Sequence, residues 1–114
     1  MSLAWKPLGQ ETYKFDGFRI DPGARGLYKG EAIVPIPARV FDVILYFAEH
    51  AGEIVSKDEL ARYVWGEAAI ADDNISQHIF LARKALGDTQ RPHRFILTVH
   101  GEGFRFVPEV TTSS

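Results

Sequence analysis

Between Asn74 and Leu86 the chain reads NISQHIFLARKAL. The side chains of Asn74, Ser76 and Gln77 offer hydrogen-bond donors and acceptors together, and Arg83 and Lys84 add two cations further along. Asn and Gln can pair bidentately with adenine, and Ser can bond several base edges. Arg and Lys suit phosphate oxygens, which position a protein on a duplex without specifying sequence. The chemistry on offer is therefore recognition of nucleic acid. A solvated helix face with ordinary polar residues accounts for the same composition.

A second stretch, TVHGEGFRF over residues 98–106, places two glycines around Glu102 between β-forming residues. A phosphate-cradling loop needs a strand, then glycines, then a helix whose N-terminus receives the phosphates. Here strand-like residues stand on both sides and no GK[ST] is present. Gly101 and Gly103 are expected to supply positive φ in a tight hairpin, with Phe104 and Phe106 facing inward and Arg105 outward. Hydrolytic or metal chemistry finds no matching set. The histidines at 50, 78, 93 and 100 lack metal-ligand spacing, and there is no cysteine to join them. Asp58 and Glu59 belong to the first turn of a helix, where acidic side chains favour the dipole, and Ser56 has the position of a helix cap. No nucleophile is paired with an oriented base. The reading is not an enzyme, and it requires no cofactor and no metal.

These residues need elements to hold them. Stepping about 100° per residue, Ile75, Ile79, Ala82 and Leu86 fall on one narrow apolar face. Asp73, Gln77 and Lys84 lie opposite, flanked by Phe80 and Leu81. That is an amphipathic helix capped by Asp72 or Asp73 and ended by Gly87. Upstream, SKDELARYVWG opens with Ser56 and Glu59 at capping-box spacing, turns Leu60, Tyr63 and Val64 inward and stops at Gly66. A first helix starts near Pro37, carries Val40, Phe41, Ile44, Leu45 and Ala48 as its apolar stripe and ends by Gly52. Residues 13–36 alternate as short strands, a small antiparallel sheet of three or four. Trp65 is expected to anchor the core at the end of the second helix, His78 to be half-buried and His93 to lie in a loop.

At 114 residues the chain is one domain. Its 46% hydrophobic and 25% charged residues are an ordinary globular mixture. The absence of cysteine fits a reducing cytoplasmic setting, and no apolar run approaches the roughly 18 residues of a membrane span. The net charge of −2 argues mildly against a nucleic-acid partner, but it is unevenly spread. Residues 73–107 hold five basic and three acidic side chains, 5 − 3 = +2, and the remainder holds eight and twelve, 8 − 12 = −4. Residues 1–12 read as a tail whose first three residues resemble a cloning scar, 13–108 as the domain, and 109–114 as a tail or linker. Roughly twelve residues cannot form a phospho-receiver, so any sensor would lie outside this chain.

The motifs GEIVSKDELARYVWG, NISQHIFLARKALGD and FILTVHGEGFRF, in this order, resemble the winged-helix DNA-binding output domain of OmpR/PhoB-type transcription regulators and their ToxR/CadC-like relatives. The resemblance runs from about Tyr13 to Val107. It implies an α+β winged helix-turn-helix fold: an N-terminal antiparallel sheet, three helices and a C-terminal β-hairpin wing. It further implies double-stranded DNA as partner, with the third helix in the major groove and the wing at the minor groove. On that pattern Asn74, Ser76 and Gln77 face bases, Arg83 lies near phosphate, and Thr98 and His100 stand on the wing side of the DNA; the residue types alone give Lys84 the same phosphate role. Phe80 and Leu81 occupy the same nominal DNA face. The Gly66–Asp72 loop corresponds to a segment that contacts RNA polymerase in some members, and head-to-tail pairing on direct half-sites is expected on DNA.

Three features depart from the family pattern. His100 stands where arginine is usual, Phe80 and Leu81 stand where many members are basic, and Pro37 stands at the usual hydroxyl N-cap of the first helix. The first two remove positive charge, so affinity is expected to be modest and salt-dependent. They also motivate the competing expectation, a winged-helix protein–protein interaction module with weak or no DNA binding.

Overall fold

The computed structural model describes residues 11–67 and 70–113. The expected N-terminal tail falls mostly on residues 1–10, outside the described residues. The first strands, β1 (Thr12–Phe15) and β2 (Phe18–Asp21), join through Asp16 and Gly17, which have φ of 46° and 84°. Two consecutive positive φ angles make the tight turn whose twist matches a two-residue hairpin. Alternation then buries Tyr13, Phe15, Phe18 and Ile20 on one face. The sheet continues to β3 (Gly26–Lys29), with Ile20 opposite Leu27, and to the exposed edge strand β4 (Ala32–Ile33).

The chain's end corrects the sequence reading. Thr111–Ser113, expected in a tail or linker, pairs antiparallel with β1, Tyr13 opposite Thr112. The sheet therefore has five strands rather than three or four. TTSS carries no apolar alternation, and nothing local marks it as a strand; the open edge of β1 supplies the pairing.

The helix α1 (Ala38–Glu49) is buried at Val40, Phe41 and every position from Val43 to Ala48. Such burial needs cover on several sides. The helix α2 (Lys57–Trp65), the helix α3 (Asp72–Ala85) and the strand β7 (Gly103–Phe106) provide it. Pro37 is the N-cap of α1 and makes no side-chain cap bond, though its carbonyl accepts from Phe41 N–H at 3.0 Å. In α2 the Ser56 Oγ accepts from Glu59 N–H at 3.0 Å, as the capping box requires. The reciprocal half is different: the Glu59 carboxylate accepts from the Tyr46 hydroxyl. Tyr63, expected inward, is 46% exposed and lies against the Tyr46 ring instead.

The second sheet has the order β5-β7-β6, with β5 at Ile54–Val55 and β6 at Ile96–Val99. Phe15, Phe18, Phe47, Phe95 and Phe106 join the two sheets to α1; the Phe15 and Phe106 rings meet edge to face at 5.0 Å. Truncating a fully buried ring such as Phe47 costs about 3–5 kcal/mol, a large share of the stability of a domain this size. The result is an α+β winged helix-turn-helix domain: sheet, three helices, hairpin.

Candidate nucleic-acid interface

The two faces of α3 are sharply divided. Ile75, Ile79 and Ala82 are buried against the core, whereas Asn74, Ser76, Gln77, Phe80 and Lys84 are exposed. Phe80, at 58% exposed, is an unusually open aromatic. Leu81 departs from the expected outer face: it is half-buried and packs on the core, so its apolar side chain has an intramolecular partner. Asp72 and Asp73 lie in the first turn rather than at the cap, which is Ala71. There they favour the positive end of the helix dipole, and Asp72 lies 3.7 Å from Lys57. His78 is half-buried with its ring edge-on to Trp65, and its Nδ1 donates to the Asn74 carbonyl at 2.8 Å. Trp65 is only partly buried.

The hairpin of β6 and β7 forms the wing. Its tip is His100, Gly101 and Glu102, closed by Glu102 N–H donating to the Val99 carbonyl at 2.9 Å. Gly101 and Gly103 both have positive φ, 78° and 139°. Gly103 has a second constraint: a Cβ there would collide with the Val55 carbonyl and stand 2.8 Å from Ser56 Cα. The second glycine therefore lets β5 and the N-cap of α2 approach the wing. Thr98, His100 and Arg105 are exposed, and Phe104 and Phe106 are buried.

Arg83 connects the two parts. Its Nε and Nη2 donate to the Ile96 carbonyl at 3.0 and 2.7 Å, and Nη2 also donates to Thr98 Oγ1 at 3.0 Å. Burial lowers its pKa, while Asp88 nearby acts in the opposite sense. Helix-wheel reasoning could place this guanidinium beside the core face but could not show that it turns to β6.

Asp88 was legible only as one more negative charge. It is 2% exposed, and its carboxylate accepts from the backbone N–H of Arg94, Phe95 and Ile96 at 2.6, 3.0 and 3.0 Å. Burial pushes its pKa up, but the three N–H donors, with His93 beside it, outweigh this and hold it below the ordinary carboxylate value. His93 Nδ1 donates to the Asp88 carbonyl at 3.0 Å, so the loop histidine has a partner. The available signal was an Asp following the helix-ending Gly87, a residue type that satisfies backbone N–H groups in turns.

Of the Gly66–Asp72 loop, residues 68 and 69 lie outside the described residues, and Asp72 belongs to α3. Among the described residues, no helix is long and apolar enough to cross a membrane.

A sequence profile described as "Transcriptional regulatory protein, C terminal" matches residues 30–106, from the turn after β3 to the last residue of the wing. The chain belongs to that family. Its solved relatives include the Klebsiella pneumoniae RstA DNA-binding domain in complex with the RstA box, with a TM-score of 0.78 and 30% identity over 86% of this chain and 98% of that one. The DNA-binding domain of Escherichia coli CadC also superimposes with a TM-score of 0.78, at 25% identity over 91% of this chain and 98% of that one. In sequence, the transcriptional regulator HilA of Salmonella typhimurium is 34% identical over 88% of this chain, and the Bacillus subtilis regulatory protein YvrH is 32% identical over 86%. The chain spans 18% of the former and 42% of the latter. The OmpR/PhoB-type resemblance is thus a family membership, and the family's winged-helix fold is the fold observed.

Proposed function

We propose that this domain binds double-stranded DNA sequence-specifically as the output domain of a transcription regulator, acting in the cytoplasm. The observation that carries the reading is the division of α3: a buried apolar face anchors the helix while Asn74, Ser76 and Gln77 are all exposed around its other sides. The helix enters the major groove, and these three side chains read base edges. Phe80 lies on the same face, where an apolar ring can meet a thymine methyl. Leu81 contributes through packing. Lys84 supplies a phosphate contact. Thr98 and His100 carry the wing to the minor groove, where a narrow A·T-rich groove concentrates negative potential. The domain is a monomer that pairs head to tail on direct half-sites about one helical turn apart. The Gly66–Asp72 loop is a candidate contact for RNA polymerase.

A second reading is favoured by one observation, the openness of Phe80 on a domain of net charge −2: a protein–protein interaction module. Titration of a randomised duplex pool at two salt concentrations separates the two. DNA binding predicts enrichment of particular sequences and an affinity that falls steeply with salt; saturable binding to no duplex at either concentration favours the interaction module.

A further inference from the structure

We propose that Arg83 is a positioning residue that sets the wing at a fixed distance from the recognition helix, rather than a contact to phosphate. The inference rests on the DNA-binding reading only for its consequence; the contact itself lies within the protein. Both sides of Ile96 are held. Its N–H donates to Asp88 and its carbonyl accepts twice from Arg83, so two side chains from the C-terminal end of α3 and just beyond it grip the first residue of the wing. The remaining bond, to Thr98 Oγ1, lies two residues further along β6 toward the tip. Thr98 and Ile96 are on the same strand, so one planar guanidinium fixes its direction as well as its position. A lysine ammonium is a point donor and cannot reproduce this fork.

A duplex presents a major groove and the neighbouring minor groove at a set spacing. A reader with two prongs gains affinity when that spacing is built in, because less ordering is left for the bound state. Arg83 commits its Nε and Nη2 donors to that geometry. The exposed Lys84, next in sequence, is left as the phosphate-facing cation of the pair.

The test compares Arg83→Lys, Arg83→Gln and Thr98→Val with wild type by two readouts. The first is amide hydrogen exchange of the free domain. Positioning predicts faster exchange in β6, β7 and the tip for both Arg83 variants, with α3 still protected. The second is affinity for a duplex enriched from the random pool. Lys should fail to rescue, with both variants losing about tenfold or more, the equivalent of one charge-assisted hydrogen bond, and with the log–log salt slope unchanged. Thr98→Val removes a single exposed bond and should speed wing exchange less, in the same direction, a readout separate from Thr98's own place at the groove. It serves if the Arg83 variants do not fold. A phosphate contact predicts the opposite: Lys rescues, Gln lowers the slope by about 1, and wing exchange is unchanged. That result overturns the proposal. If wild type binds no duplex, the DNA reading fails and the exchange data alone decide the role of Arg83.

Discussion

Replacing Asp88 tests how the segment between α3 and the wing is held. In Asp88→Ala three backbone N–H groups lose their acceptor, two of them, at Phe95 and Ile96, in buried bonds. An orphaned buried donor costs about 1–3 kcal/mol, so two cost about 2–6 kcal/mol. Water entering the vacated polar space reduces this, giving a working figure of about 3 kcal/mol. For a domain of about 100 residues each kcal/mol moves the thermal midpoint by roughly 4–8 °C. The expected fall is thus about 12–24 °C, read by circular dichroism. Asp88→Asn keeps the shape but presents an amide donor to an array of donors, and should lie between Ala and wild type. The pH dependence follows from the depressed pKa of Asp88. Because the folded value is below the unfolded one, near 3.9, the contribution is fully present above about pH 4. It is lost as pH falls through the folded value. The gap between wild type and Asp88→Asn should therefore still be present at pH 5 and narrow below pH 4. A midpoint drop under about 3 °C for Asp88→Ala, or a gap that persists unchanged into strong acid, would refute the reasoning.

Further outcomes concern the wing and the helix. Gly103→Ala should destabilise by about 3 kcal/mol or more, since its Cβ would strike backbone of β5 and α2. Gly101→Ala, with open space around it, should cost only the 1–2 kcal/mol of a left-handed conformation; equal losses in urea melts would mean that the β5 contact yields. Gln77→Ala should cost about 1–3 kcal/mol on the preferred duplex and relax one base position; an equal loss on random DNA would remove Gln77 from base reading. Lys84→Gln should weaken all duplexes alike and lower the salt slope by about 1, and an unchanged slope would place it off the DNA. His100→Arg, which puts a permanent cation at the tip, should tighten binding; identical affinities would mean that the tip does not reach the groove.

Periodicity and turn chemistry made the three helices and the wing legible, because each of these is specified locally. Ser56 caps α2, Gly66 ends it in a left-handed conformation, and Gly101 turns the hairpin. What the sequence concealed depends on partners distant along the chain. The strand at Thr111–Ser113 forms because β1 offers an edge, Tyr63 faces outward because Tyr46 and Glu59 claim the adjoining ground, and Leu81 finds cover from the core. The site divides in the same way. A helical wheel is enough to place Asn74, Ser76 and Gln77 away from the core face. The turn of Arg83 toward Ile96, and the grip of Asp88 on the peptides that follow, need the wing already in place.

The central claim, that a duplex lies across the outer face of α3 and the wing, is tested most directly by a nuclear magnetic resonance titration of the domain with a duplex enriched from the random pool. Shifts concentrated at Asn74, Ser76, Gln77, Phe80 and Lys84 and at Thr98 through Glu102, with the five-stranded sheet unperturbed, are the predicted result. Saturable shifts confined to other surfaces, or none at concentrations where an OmpR/PhoB-type domain of known site gives them, would contradict it.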